Sequence, residues 1–166
     1  MQVAVVGAGD YEEKRCNLAR ELGRRIAQKG HVLITGGLGG VMEAASEGAK
    51  EAGGVAVGIL PGEKEAANPY VTVAIGTGMG HGRNAIVVRS ADVVIALPGL
   101  YGTLSEIALA LKMEKRVIDL GDWNVEGMIR AESLDEAMEI VEAKRGDGGP
   151  GETGLKGAGG DEGRKM

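Results

Sequence analysis

The sequence contains no phenylalanine, and three tyrosines and one tryptophan make up its aromatic content. Its core must therefore be packed from valine, isoleucine, leucine, alanine and methionine. Cysteine is almost absent too. Cys16 stands alone, so no internal disulfide can form, which fits a reducing cytoplasm. It lies in a helical pattern with plain surroundings and reads as a small buried hydrophobe rather than a catalytic thiol. No apolar run approaches the ~20 residues of a membrane span. The opening MQVAVVGAGD lacks a basic stretch ahead of a long apolar one, so it reads as a first strand rather than a signal peptide. Basic residues are not in excess. A net charge of −5, with both signs interspersed, leaves no basic face for nucleic acid. His31 and His81 are the two histidines, one at a strand edge and one in a loop, and no metal site is expected.

Glycine, by contrast, is abundant at 30 of 166 residues, far above the usual ~7%. Part of the excess falls in the last twenty residues, the rest mainly at the ends of apolar runs. Those runs alternate with helical patterns. Strands are expected at Val3–Val6, Val32–Ile34, Val55–Leu60, Val71–Ile75, Asp92–Leu97 and Arg116–Leu120. Helices are expected over Tyr11–Lys29, Val41–Ala52, Arg83–Arg89 and Leu104–Met113, with Gly30 as a left-handed cap on the first. A last helix should run from an N-cap at Ser133 to Lys144, with Glu136 completing a capping box. Asp92 reads as a turn-capping acid.

Strands that are apolar along their length and separated by helices predict a parallel sheet covered on both faces. The fold class is α/β, a Rossmann-like doubly wound parallel sheet in three αβα layers. Residues 1–145 form one nucleotide-binding domain. Residues 146–166, rich in glycine and charge and without periodicity, are expected to be a disordered tail.

Four glycine-rich turns should emerge at the carboxyl edge of such a sheet. They are Gly7–Asp10, Thr35–Gly40, Gly76–Asn84 and Pro98–Thr103. With the strands in the order 3-2-1-4-5, the turns after the first and fourth would flank the point where the winding reverses, where open α/β sheets bind ligands. In many folds such glycines serve only to tighten βα turns. Four of them on one edge point further, to backbone amides and helix N-termini converging on an oxyanion. The residues expected to hold it are Gly7, Gly9, Thr35, Gly36, Gly37, Gly39, Gly40, Asn84, Pro98, Gly99, Gly102 and Thr103. The spacing is not the dinucleotide fingerprint, and no GxxxxGK[ST] loop is present. Arg83, opening a helix, could grip a phosphate or carboxylate with its fork. Glu106 lies three residues after Thr103 and could either take a proton from water or close a capping box with Thr103.

With these residues in hand, the chain resembles the LONELY GUY (lysine-decarboxylase-like) superfamily. Its PGGxGTxxE motif is matched by Pro98 to Glu106, its GGGxxGLMGA motif by Thr35 to Ala44, and its arginine by Arg83. The wording GGLGGVMEAASEGAKEAGG is most similar to the short branch that includes the molybdenum cofactor carrier. The resemblance implies a phosphorylated small ligand (a nucleotide or molybdopterin-type cofactor), no required cofactor of its own, a homodimer or homotetramer, and no lysine decarboxylation. The plant-type relatives are phosphoribohydrolases, and carried over, Arg83 would orient a nucleoside 5′-monophosphate while Glu106 acts at the ribose. Leu100 stands for a motif glycine, Asn84 for a lysine, and Glu43 and Thr35 for further glycines. Ligand binding in a carrier role is therefore the first expectation and N-glycosidic hydrolysis the alternative.

Overall fold

The computed structural model describes residues 1–143. The expected tail at 146–166 lies outside them. The chain runs β1 (Gln2–Val6), α1 (Glu13–Gln28), β2 (Val32–Thr35), α2 (Val41–Glu51), β3 (Ala56–Leu60) and β4 (Val73–Gly76). It continues through α3 (Arg83–Ser90), β5 (Val93–Ala96), α4 (Tyr101–Lys112), β6 (Arg116–Asp119), β7 (Ile129–Arg130) and α5 (Leu134–Glu142). Short 3-10 turns at Lys64–Ala66 and Gly80–Gly82 flank β4. No helix among the described residues is long and apolar enough to cross a membrane.

All strand pairs are parallel, in the order β4-β3-β2-β1-β5-β6-β7. The three-layer α/β expectation holds, but the strand order differs from the one proposed. The fourth strand continues outward from the third instead of crossing to the far side of β1. The winding therefore reverses between β1 and β5. The crossing back is made by α3, and the dipeptide strand β7, too short to show any periodicity, extends the other edge.

Side-chain alternation sends successive residues to opposite faces. Val3 and Val5 of β1 point to the layer of α1, α2 and α5, while Ala4 and Val6 point to α3 and α4. Both faces are packed with aliphatic side chains, as a chain without phenylalanine requires. Cys16 is buried among them at 5% exposure. Gly30 takes φ +74° after α1, Ser133 caps α5 by accepting from Glu136 N at 3.2 Å, and Asp92 accepts from Gln2 N at 2.8 Å. Only half of the α5 box forms. The Glu136 carboxylate accepts from Glu132 N rather than from its cap residue.

Helices α1 and α2 touch backbone to backbone. A Cβ on Gly48 would stand 1.8 Å from the Arg20 carbonyl oxygen, and one on Gly23 would stand 2.0 Å from that of Ala45. Alanine gains about 1 kcal/mol of helix propensity over glycine, yet here the helices would have to separate. Gly48→Ala is accordingly expected to lower stability by about 1–3 kcal/mol in urea melts. A stabilised variant would show that the helix pair has slack.

Candidate functional site

Where the winding reverses, a cavity of about 190 Å³ opens over the carboxyl ends of β1 and β5. Of the expected residues, Gly7, Gly9, Gly36, Arg83, Asn84, Gly102, Thr103 and Glu106 line it. Thr35, Gly37, Gly39, Gly40, Pro98 and Gly99 lie behind that lining and shape the loops. Thr35, fully buried, accepts from Gly37 N at 3.2 Å. Gly39 packs against the Gly9 carbonyl, and Gly40 is the N-cap residue of α2. Pro98 accepts from Ala8 N at 3.1 Å, which ties the β5 turn to the β1 turn, and Gly99 packs beneath Thr103. The loop after β6 braces this turn from behind through Trp123 Nε1, which donates to Leu97 O at 3.0 Å. That loop is itself held by buried Asp119, whose carboxylate accepts from the amides of Gly121, Trp123 and Asn124.

The turn after β4 does not converge with the others as expected. Thr77 N and Gly80 N donate to Leu60 O and Pro61 O at 3.2 and 2.8 Å, so Gly76–Gly80 stays at the sheet edge. Only its continuation into α3 reaches the cavity, bringing His81, Arg83 and Asn84.

The helix starts also differ from one another. The amides of Lys14 and Arg15 donate to the Glu12 carboxylate at 3.0 and 2.9 Å, so α1 already carries its own anion. The helices that follow β2 and β5 have no side-chain cap: α2 starts from Gly40 and α4 from Leu100. The first intrahelical bond of α4 is Leu104 N to Leu100 O. That leaves the first-turn amides, among them those of cavity-lining Gly102 and Thr103, without an intrahelical acceptor.

Because α4 begins at Tyr101, Thr103 sits inside its first turn and cannot be the cap. The Thr103–Glu106 capping box is therefore not formed. Glu106 is 6% exposed and faces Arg83 instead, Oε1 to Nη1 at 3.7 Å. Burial pushes its carboxyl up to about 7, and the Arg83 charge pulls it back only in part. Near neutral pH it can accept or donate a proton.

Arg83 is 8% exposed. Its Nη1 donates to Asn84 Oδ1 at 2.9 Å, and Asn84 Nδ2 donates to Ser105 Oγ at 3.0 Å, which fixes the guanidinium against α4. Its Nε is buried with no partner among the described residues. Burial lowers the pKa of this guanidinium and the Glu106 charge opposes that, but an arginine stays charged in either case. Gly36 makes room for it, since a Cβ there would lie 2.5 Å from Nη1. Asp10, Met42, His81 and Leu100 also line the cavity and were not singled out as site residues from the sequence. Asp10 and Leu100 carried a signal, lying within or beside the glycine turns. Met42 did not. Among the described residues no three His, Cys, Asp or Glu side chains gather to ligate a metal.

Comparison with known proteins places this architecture. A protein of Archaeoglobus fulgidus whose function is uncharacterised is 51% identical over 139 residues, covering 83% of this chain and 92% of its own. A cytokinin riboside 5′-monophosphate phosphoribohydrolase of Arabidopsis thaliana is 35% identical over 100 residues. That match spans 58% of this chain but only 42% of the plant enzyme, so the chain corresponds to less than half of that relative's length. Among solved structures, the molybdenum cofactor binding protein of the phototrophic bacterium Rippkaea orientalis superposes with a TM-score of 0.78 at 41% identity, covering 84% of this chain and 93% of its own. Residues 1–147 match the SLOG cluster4 family. The chain belongs to the SLOG cluster4 family, a LONELY GUY-like group, as its two glycine motifs indicated.

Proposed function

We propose that this chain binds a phosphorylated, ring-bearing small molecule, a nucleoside monophosphate or a molybdopterin-type cofactor, in a carrier or binding role. One observation carries this reading: the buried guanidinium of Arg83 lines the same cavity as the start of α4, which has no side-chain cap. A buried guanidinium is costly until an anionic acceptor meets it. A phosphate supplies that acceptor, and its negative charge is favoured by the amides and dipole of α4. The likeness to the Rippkaea protein, extending over most of both chains, supports a cofactor-binding role. A melting panel of nucleotides and pterins tests it. At a hundred times its Kd, the true ligand should raise Tm by about 5–10 °C. A flat panel at millimolar concentrations would remove the reading.

The Arg83–Glu106 pair favours a second function, hydrolysis of the N-glycosidic bond of a nucleoside 5′-monophosphate. A carboxyl group pushed up to about 7 is suited to moving a proton at neutral pH. Its ionised form would stabilise positive charge developing on the ribose. Release of free adenine from AMP, abolished in Glu106→Ala, is the expected result if this holds. Base release that persists in the variant would remove Glu106 from the chemistry.

A further inference from the structure

The cavity at the winding reversal, about 190 Å³, is smaller than the roughly 300–1,000 Å³ that small-molecule sites provide. It can take a phosphate and its sugar but not a fused heterocycle as well. A second cavity of about 270 Å³ adjoins it, walled by Leu38, Pro61 and Gly80. His81, Arg83 and Asn84 border both. The two are lobes of one trough, and Arg83 is the partition between them. Taken together they reach the size such ligands need.

We propose that the second lobe, between Leu38 and Pro61, is the seat of the ligand's flat heterocycle, while the phosphorylated arm passes Arg83 to the α4 start. This rests on the binding role proposed above and adds where ring specificity is set. The lobe is formed in advance rather than assembled around a guest. Pro61 O accepts from Gly80 N at 2.8 Å, which joins two of its walls directly. Asn68 Nδ2 donates to Leu38 O at 2.9 Å and to Gly37 O at 3.2 Å, which pins the third wall to the loop beyond β3. Leu38 and Pro61 offer an apolar surface to the face of a ring. His81 at the junction supplies a donor or acceptor to the sugar or linker. The walls come from three separate loops, Leu38 from the second glycine motif and Pro61 and Gly80 from outside both motifs.

Titration calorimetry of the full chain with AMP, a pterin monophosphate and ribose 5-phosphate tests the assignment. The first two probes distinguish a nucleotide from a pterin as the source of the ring, and the third occupies the phosphate lobe alone. Leu38→Trp, which fills the second lobe, should weaken the ring-bearing ligand about tenfold or more and change ribose 5-phosphate by less than about twofold. Pro61→Trp keeps the carbonyl that Gly80 uses and should do the same, so either variant serves if the other misfolds. Unchanged affinity for the ring-bearing ligand in a folded variant, or equal loss of ribose 5-phosphate, overturns the ring seat, while the wild-type chain's binding of ribose 5-phosphate still supports the phosphate site. A wild-type chain that binds none of the three overturns both the ring seat and the binding role beneath it.

Discussion

Arg83→Met is expected to weaken AMP or pterin phosphate binding by about 100-fold while the protein stays folded. The magnitude follows from how the side chain is held at the cavity wall. Its Nη1 is held by Asn84, so the guanidinium that lines the cavity is positioned as a donor at no further cost in ordering. Truncation removes that donor and the charge at once. The fold should not suffer, because Glu106, left without its partner at 3.7 Å, can take up a proton instead of remaining a buried charge. Arg83→Lys should fail to restore binding, since an ammonium cannot keep the bond to Asn84 and present a second donor from the same plane. Calorimetry together with a melting curve checks both halves. Affinity unchanged in Arg83→Met would remove the arginine from the site, and a collapsed melting transition would make it a structural residue.

Glu106→Gln should stabilise the protein at pH 8 and have almost no effect at pH 4. The carboxyl rises from an ordinary value of 4.5 to about 7 in the folded chain. Between those values the folded state holds a proton that the unfolded state has released, so stability falls as pH rises through this window. The loss is complete above about pH 7 and on the order of 3 kcal/mol. Glutamine imitates the protonated form at every pH and escapes the loss. Urea melts of both proteins from pH 4 to pH 8 should give curves that coincide in acid and diverge upward. Parallel curves would mean that Glu106 is ionised without penalty, through closer contact with Arg83 than the 3.7 Å separation allows. Diverging curves mean that stability is given up to keep a carboxyl near neutral at the site, and a binding or catalytic demand is the physical reason to retain it.

The local elements were legible because their signals are local. Val3–Val6 and Val93–Ala96 are apolar without interruption, glycines close the strands, and Ser133 announces α5. Arg83 stood out as a basic residue at a helix start, where the dipole disfavours it, and it is buried in the cavity. Glu106 was legible as a candidate but not as a partner. Thr-x-x-Glu spells a capping box equally well, and only the start of α4 at Tyr101 removes that alternative.

By itself, then, the sequence determined the alternation of strands and helices, an aliphatic core and the residue types at the site. Tertiary structure decided that β4 lies at the edge, that β1 and β5 flank the reversal, and that the turn after β4 meets the site only through Gly80 and its continuation into α3. It also set Leu38 beside Pro61, and Arg83 across from Glu106. The reason is the range of the forces involved. Periodicity, caps and glycine turns act over a few residues and are written in them, whereas strand order is settled by which faces of the finished sheet the helices cover.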